Sequence, residues 1–361
     1  MESQTDRLLD QQIAYVPLQH FLDRAAAPLG IAPTPLAFAL YFGVDPAIPL
    51  DLPDSTEQKS GSASARNILI FHVNDPDDGR DATLYARTAD GNVQQDAAGR
   101  PVPLYDHLFF MGGPETQAYR HMEKPPVSCS RLESTWGYPF GELGMASDQA
   151  QRYFTLSRLA RAVESPYWEW RFLACAVHYL QDLAQPYHAT QMSSHGHYFW
   201  RALRVWLMTP HVSLRKSVAQ LMQNSHQWYE SYVASHSTLV MQGLTDDTRA
   251  EAWLVALRGE TTDVFPWDTP EAPVRAYAKT IRDASNRIAP DLLTSVYWMS
   301  NAQLLSAYPF DYRRDPPDTF LRTRRDLHFM QGESTLFAVT TEAFARAARA
   351  TRTLVQAALR N

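Results

Sequence analysis

The stretch Ala176-Val-His-Tyr-Leu-Gln-Asp-Leu-Ala-Gln-Pro-Tyr-His188 constrains this chain more than any other. It continues an apolar run through Phe172, Leu173, Ala174, Cys175, Ala176, Val177, Leu180 and Leu183. That run is too long and too rich in alanine for an ordinary strand, so it predicts a helix over 170–183. On such a helix His178 and Asp182, four residues apart, rise from one face within reach of a single ion. Pro186 ends the helix, and the residue before a proline leaves the α region, so the chain can turn and bring His188 back towards the same point. Imidazole nitrogen and carboxylate oxygen are ligands that zinc accepts, and a shared carboxylate can bridge two ions. A purely structural helix would need a dedicated buried partner for each of these polar groups. Two histidines, an acid and a proline stop together favour a metal.

The four positions His178, Asp182, Pro186 and His188 spell His-x-x-x-Asp-x-x-x-Pro-x-His, which resembles the central motif of the bacterial zinc-dependent phospholipases C and the related fungal single-strand nucleases. Tyr179, Leu180 and Gln185 are residues that such enzymes often carry, and Arg152 to Ala160 looks like the helix that precedes their metal helix. The resemblance implies a mainly α fold, a multi-helix bundle holding two or three zinc ions.

It also implies further ligands. A His-x-x-x-Glu pair should follow on another helix. His195 and His197 fail that test, because Phe199 and Arg201 stand four residues on, whereas Ser225-His226-Gln-Trp-Tyr-Glu230 fits it. His226 and Glu230 would share a helix face and, with His188, hold a second ion. Upstream, the family uses an Asp and a His, the Asp also acting as general base. Two stretches match: His72-Val-Asn-Asp75-Pro-Asp77, and His107 in Tyr105-Asp-His107 with Asp90 ahead of it. The second is favoured, since Asp75 to Asp78 explains itself as a turn after a strand. A histidine on the first helix would join a third zinc site, and His20 in His20-Phe-Leu-Asp-Arg-Ala25 is the matching residue. The family completes that site with an N-terminal Trp, and this chain begins at Met1, nineteen residues before His20.

The remainder of the chain sets the frame. Its 361 residues suit one α-helical domain over 1–361, with insertions at about 50–105 and 192–224. Asp6 to Leu29 reads as a helix broken near Pro17, and Asn67 to Val73 as a strand returning through Thr83 to Arg87, a β-hairpin insertion. Ser147 and Ser165-Pro166 are expected to open the helix before the metal helix and the metal helix itself. The segment 192–224 mixes Tyr198, Phe199, Trp200 and Trp206 with Arg201, Arg204, Arg215 and Lys216, which suits either a lipid interface or lid, or an extra helical hairpin on the body. Val274 to Ile288 and Glu342 to Arg360 read as helices, with an irregular connection over 304–329.

With 33 basic and 39 acidic residues, net charge -6, the chain offers no basic field for nucleic acid. It has no apolar run of about 18 residues and no apolar core near Met1, so it is expected to be cytoplasmic or exported without such a signal. Cys129 and Cys175 read as free, buried thiols. The expected activity is hydrolysis of the glycerol-side phosphodiester of a glycerophospholipid, phosphatidylcholine above others, with a membrane surface as partner, Asp182 as bridging ligand and Asp90 as base. Aromatic side chains near the site would hold a quaternary ammonium. A single-strand nuclease or nucleotidase, and a metal-stabilised effector without activity, are the alternatives.

Overall fold

The computed structural model describes residues 4–42, 61–77, 94, 95, 97, 99, 117–126, 141–191, 197–208, 214–241, 248–258, 274–300 and 327–360. Within them the chain is mainly α, with thirteen helices and two two-stranded antiparallel sheets. The helices are α1 (Gln4–Leu9), α2 (Leu18–Leu29), α3 (Pro35–Phe42), α4 (Ala65–His72), α5 (Gln117–His121), α6 (Ala146–Ala162), α7 (Pro166–Ala184), α8 (Pro186–Ala189), α9 (His197–Met208), α10 (Leu214–Met241), α11 (Thr248–Arg258), α12 (Val274–Met299) and α13 (Leu327–Arg360). The strands are β1 (Gln12–Ala14), β2 (Ser62–Ser64), β3 (Glu123–Lys124) and β4 (Leu143–Gly144).

Helix α7 is the axis of the molecule. Fifteen of its side chains are buried, from Tyr167 to Ala184, most of them apolar. Ala174 and Ala176 leave room for neighbours to approach, and α4, α6, α12 and α13 pack around it. Burying Leu173 and Leu180 completely contributes about 2 kcal/mol each. Phe21 and Leu22 of α2 enter the same core beside Trp168, whose indole N–H donates to the Val16 carbonyl at 2.8 Å. A second core lies along α10, α11, α12 and α13, around Trp228, Tyr232, Trp253, Leu292 and Leu336. The two cores meet at the carboxyl end of α7, where Pro166–Ala184 gives way to α8. The 34-residue α13 is about 51 Å long and spans both.

Several expectations need correction. The apolar segment 67–73 is helical: Ser64 caps it by accepting the Asn67 N–H at 3.1 Å, and Ala65, Ile68 and His72 are buried at helical spacing, a period that overrides the strand composition. β2 pairs instead with β1, which interrupts the first helical stretch between α1 and α2. Helix α6 starts without a serine cap; the Ser147 N–H is taken by the buried carboxylate of Glu123 at 2.8 Å. Ser165 makes no side-chain cap on α7, although Pro166 does occupy its first turn. The segment 192–224 contains a helix, α9, packed on α10. Thr83 to Arg87, Cys129, His195 and the connection through 301–326 lie outside the described residues. Cys175 is buried and in no disulfide among the described residues. Among the described residues no helix is long and apolar enough to cross a membrane.

Candidate metal centre

The carboxyl half of α7 presents His178 and Asp182 on one face, as the spacing requires. Four other elements converge on them. The turn after α4 supplies Asp77, α5 supplies His121 at its last residue, and α8 with α10 supplies His188, His226 and Glu230.

The first group is Asp77, His121, His178 and Asp182. His121 Nδ1 lies 2.8 Å from Asp182 Oδ2 and 2.9 Å from His178 Nε2, and the latter is 3.2 Å from Asp182 Oδ2. Asp77 Oδ1 is 3.7 Å from both ring nitrogens. A tetrahedron with metal–ligand arms of ~2.0–2.1 Å has edges of ~3.3 Å, inside the range these separations cover. In the second group His188 Nε2 is 3.0 Å from His226 Nε2, which is 2.8 Å from Glu230 Oε1; His188 Nε2 and Glu230 Oε1 are 3.7 Å apart. Among the described residues three ligands gather there. Both groups have the donor types and spacing to hold metal ions.

Asp182 lies between the groups. Its Oδ2 belongs to the first, and its Oδ1 lies 2.9 Å from His188 Nδ1, close but out of line for a hydrogen bond. The electrostatics follow from this crowding. Burial works against the charged form of Asp182, but His178, His121 and His188 outweigh it and hold the carboxyl well below its ordinary range. Burial likewise disfavours protonated His188, yet Asp182 and Glu230 push it up to about 9. His226 is lowered, first by burial, with His188 and Lys124 adding to it against Glu230. Burial would raise Glu230, but His226 and His188 hold it below the usual carboxylate range, although half of its side chain opens to the groove. Lys124, buried in β3, is pushed down to about 7 by burial, with Glu230 acting in the other direction.

Neighbouring groups fix these ligands. The rings of Tyr187 and His226 stack at 5.4 Å, and the ring of Tyr179 lies 5.2 Å from that of His121. Gln185 caps α8: its Oε1 accepts the Tyr187 N–H at 2.5 Å, which commits its amide nitrogen to the metal groups, 2.9 Å from His226 Nε2 and 3.3 Å from Glu230 Oε1. His121 depends on the β3–β4 pair. Gly144 has φ +91°, and a Cβ there would sit 1.8 Å from the Met122 carbonyl oxygen. Only glycine lets β4 approach the residue next to His121 so closely.

A groove of about 840 Å³ lies over both groups, with Asp77, His178, Asp182, His188 and Glu230 on its polar side. Val233, Leu257, Phe344 and alanines of α13 supply its apolar lining.

Five sequence-derived ligands, His178, Asp182, His188, His226 and Glu230, thus come together. His20 does not join them; it is exposed on α2. His107 and Asp90 lie outside the described residues, and the upstream places in the first group are taken by His121 and Asp77. Asp77 closes the His-x-x-Asp-Pro-Asp run, so that run carried a signal. His121 stands 57 residues before His178 with no spacing motif around it. His72 is neither a surface histidine nor a member of either group: it is buried against Asp75.

No protein-family model matches this chain, and neither a curated protein nor a solved structure matches it.

Proposed function

We propose that the chain is a zinc-dependent phosphodiesterase of the phospholipase C kind, cleaving the glycerol-side P–O bond of a glycerophospholipid, phosphatidylcholine above others. The observation that carries this reading is the pair of His/carboxylate groups, with Asp182 lying between them, at a groove lined by both polar and apolar side chains. Ions held there would lower the pKa of a bound water and neutralise charge on the phosphoryl oxygens. Nitrogen and oxygen donors without thiolate suit zinc.

The protein's own groups divide the remaining work. His121, His178, Asp77 and Asp182 form one cradle, and His188, His226 and Glu230 the other. Asp77, with 60% of its side chain exposed at the groove, takes the proton of the attacking water. As the hydroxyl oxygen bonds to phosphorus and the bond to the glycerol oxygen breaks, that proton passes to the departing glycerol oxygen. The products are diacylglycerol and the phosphorylated head group. Gln185 directs an N–H at the same space, and Leu257, Val233 and Phe344 receive the apolar part of the lipid. Trp200, Leu207 and Met208 are exposed beside Arg204 on α9, while Leu203 and Trp206 of the same helix pack inward, which supports contact with a lipid surface.

The test is hydrolysis by zinc-loaded protein of phosphatidylcholine vesicles and of single-stranded DNA. Release of phosphocholine and diacylglycerol, abolished by a chelator, is the expected result. Cleavage of DNA with intact lipid would favour the nuclease reading, and zinc binding with no turnover of either substrate would favour a non-catalytic effector.

A further inference from the structure

Below the metal groups, towards the amino end of α7, lies a second polar cluster that takes no part in ligation. Arg171 is fully buried, and His72, Asp75 and Tyr167 are each about 1% exposed. Asp75 Oδ2 accepts from Arg171 Nε at 3.1 Å, with the Nη2 of the same guanidinium also at 3.1 Å, and it lies 2.8 Å from His72 Nδ1. The Tyr167 hydroxyl accepts from Arg171 Nη1 at 3.2 Å and stands 3.3 Å from His72 Nε2. The guanidinium also lies over the Trp168 ring at 5.3 Å. Burying four polar side chains at the centre of an apolar helix packing is costly unless every one is held, and breaking one partner leaves the rest stranded.

The placement of this cluster gives it a use. At 100° per residue Tyr167, Arg171, His178 and Asp182 fall within roughly 60° of arc, so one stripe of α7 carries both the polar cluster and the metal ligands. Opposite that stripe runs the turn 72–77. Asp75 is tied to Arg171, and two residues later Asp77 reaches the first metal group. Between them is Pro76, buried and with its φ fixed by the ring, so the link from Asp75 to Asp77 is short and stiff. Asp77 itself is 60% exposed, 3.7 Å from the His178 ring nitrogen.

We propose that Arg171, acting through Asp75 with His72 and Tyr167, is the positioning residue of the first metal group: it holds the turn so that Asp77 meets His121, His178 and Asp182. The role rests on the metal reading above, and it is confined to one of the two groups. His188, His226 and Glu230 hang from α8 and α10, not from the turn 72–77.

The test measures zinc affinity, by competition with a chromogenic chelator, in a His226→Ala background that leaves only the first group. Arg171→Met and Asp75→Asn are compared with the Arg171→Met/Asp75→Asn double variant, each with its metal-free melting temperature. Outer-shell changes cost about 10- to 100-fold in metal affinity. That loss is expected in both single variants and in the double variant. The double variant buries no unpaired charge, so its melting temperature should recover most of the way to the parent. A double variant that regains parent affinity along with stability would show that the cluster serves stability alone, and would overturn the inference. Absence of zinc from the parent protein would overturn the metal reading and the inference with it. The same Arg171→Met change in an Asp77→Asn background, where the other group is intact, should leave the affinity of that second group unchanged; a matching loss there would also contradict the assignment.

Discussion

Replacing Asp182 with Asn changes one atom and removes a carboxylate that lies within the first metal group and against His188 of the second. Asp182 Oδ2 is 2.8 Å from His121 and 3.2 Å from His178, and Oδ1 is 2.9 Å from His188, with 10% of the side chain exposed. In the metal-free protein the substitution takes an anion from beside His188. Breaking a buried pair costs ~3–5 kcal/mol, and the lower end applies because a histidine can release its proton and Glu230 remains nearby. Over 361 residues, at ~2.1 cal/mol/K per residue, a loss of ~3 kcal/mol lowers the melting temperature by about 4 °C. The effect on metal is larger. Changes one shell further out already weaken binding ~10- to 100-fold, so losing this carboxylate should exceed ~100-fold in the first group and weaken the second. Zinc titration against a chromogenic chelator, with differential scanning calorimetry of the chelated protein, reads both quantities. Wild-type zinc affinity in Asp182→Asn would refute the reasoning, whatever the stability.

Three further perturbations follow from the same geometry. Gly144→Ala combines a positive φ with a backbone clash at Met122 and should cost more than ~3 kcal/mol, with zinc lost from the first group before the second in a stepwise chelator titration; a melting temperature within a degree of wild type would contradict it. In metal-free protein, Asp182 and Glu230, held low, contribute stability above about pH 4 that is lost as pH falls further. His188, raised to about 9, contributes stability fully present below its ordinary value of about 6.5 and lost as pH rises through about 9. Lys124, pushed down to about 7, acts in the opposite sense over the same range in both proteins, so between pH 7 and 9.5 the melting temperature of chelated wild type should fall relative to that of Asp182→Asn, and parallel profiles would count against the assignment. Leu257→Asp places a charge on the apolar lining of the groove; it should raise KM for long-chain phosphatidylcholine about 10-fold by removing ~1.5 kcal/mol of contact, with zinc content unchanged, and an unaltered KM would remove that lining from the substrate site.

Local chemistry decided what could be read from residues alone. His178, Asp182, His226 and Glu230 are legible because an i, i+4 pair on a helix always shares a face, and His188 because Pro186 forces the turn that returns it. Helix α7 announces itself by its long apolar run, and α12 and the carboxyl half of α13 by apolar positions at helical spacing. The segment 67–73 misleads because its Ile, Leu, Phe and Val residues suit a strand, whereas the Ser64 cap and burial against α7 settle it as a helix. His121 and Asp77 are joined to the site only by tertiary packing, through the β3–β4 pair and the Arg171–Asp75 contact, and no spacing rule links residues 57 or more apart. His20 fits a pattern of neighbours yet sits on the outward side of α2.

The account depends most on metal in both groups. Elemental analysis of the purified chain, expressed with zinc and washed of loosely bound ions, together with zinc-edge X-ray absorption, addresses this directly. At least two zinc ions per chain, ligated by nitrogen and oxygen with no sulfur, is the predicted result. Less than one ion per chain, or a sulfur ligand, would contradict it.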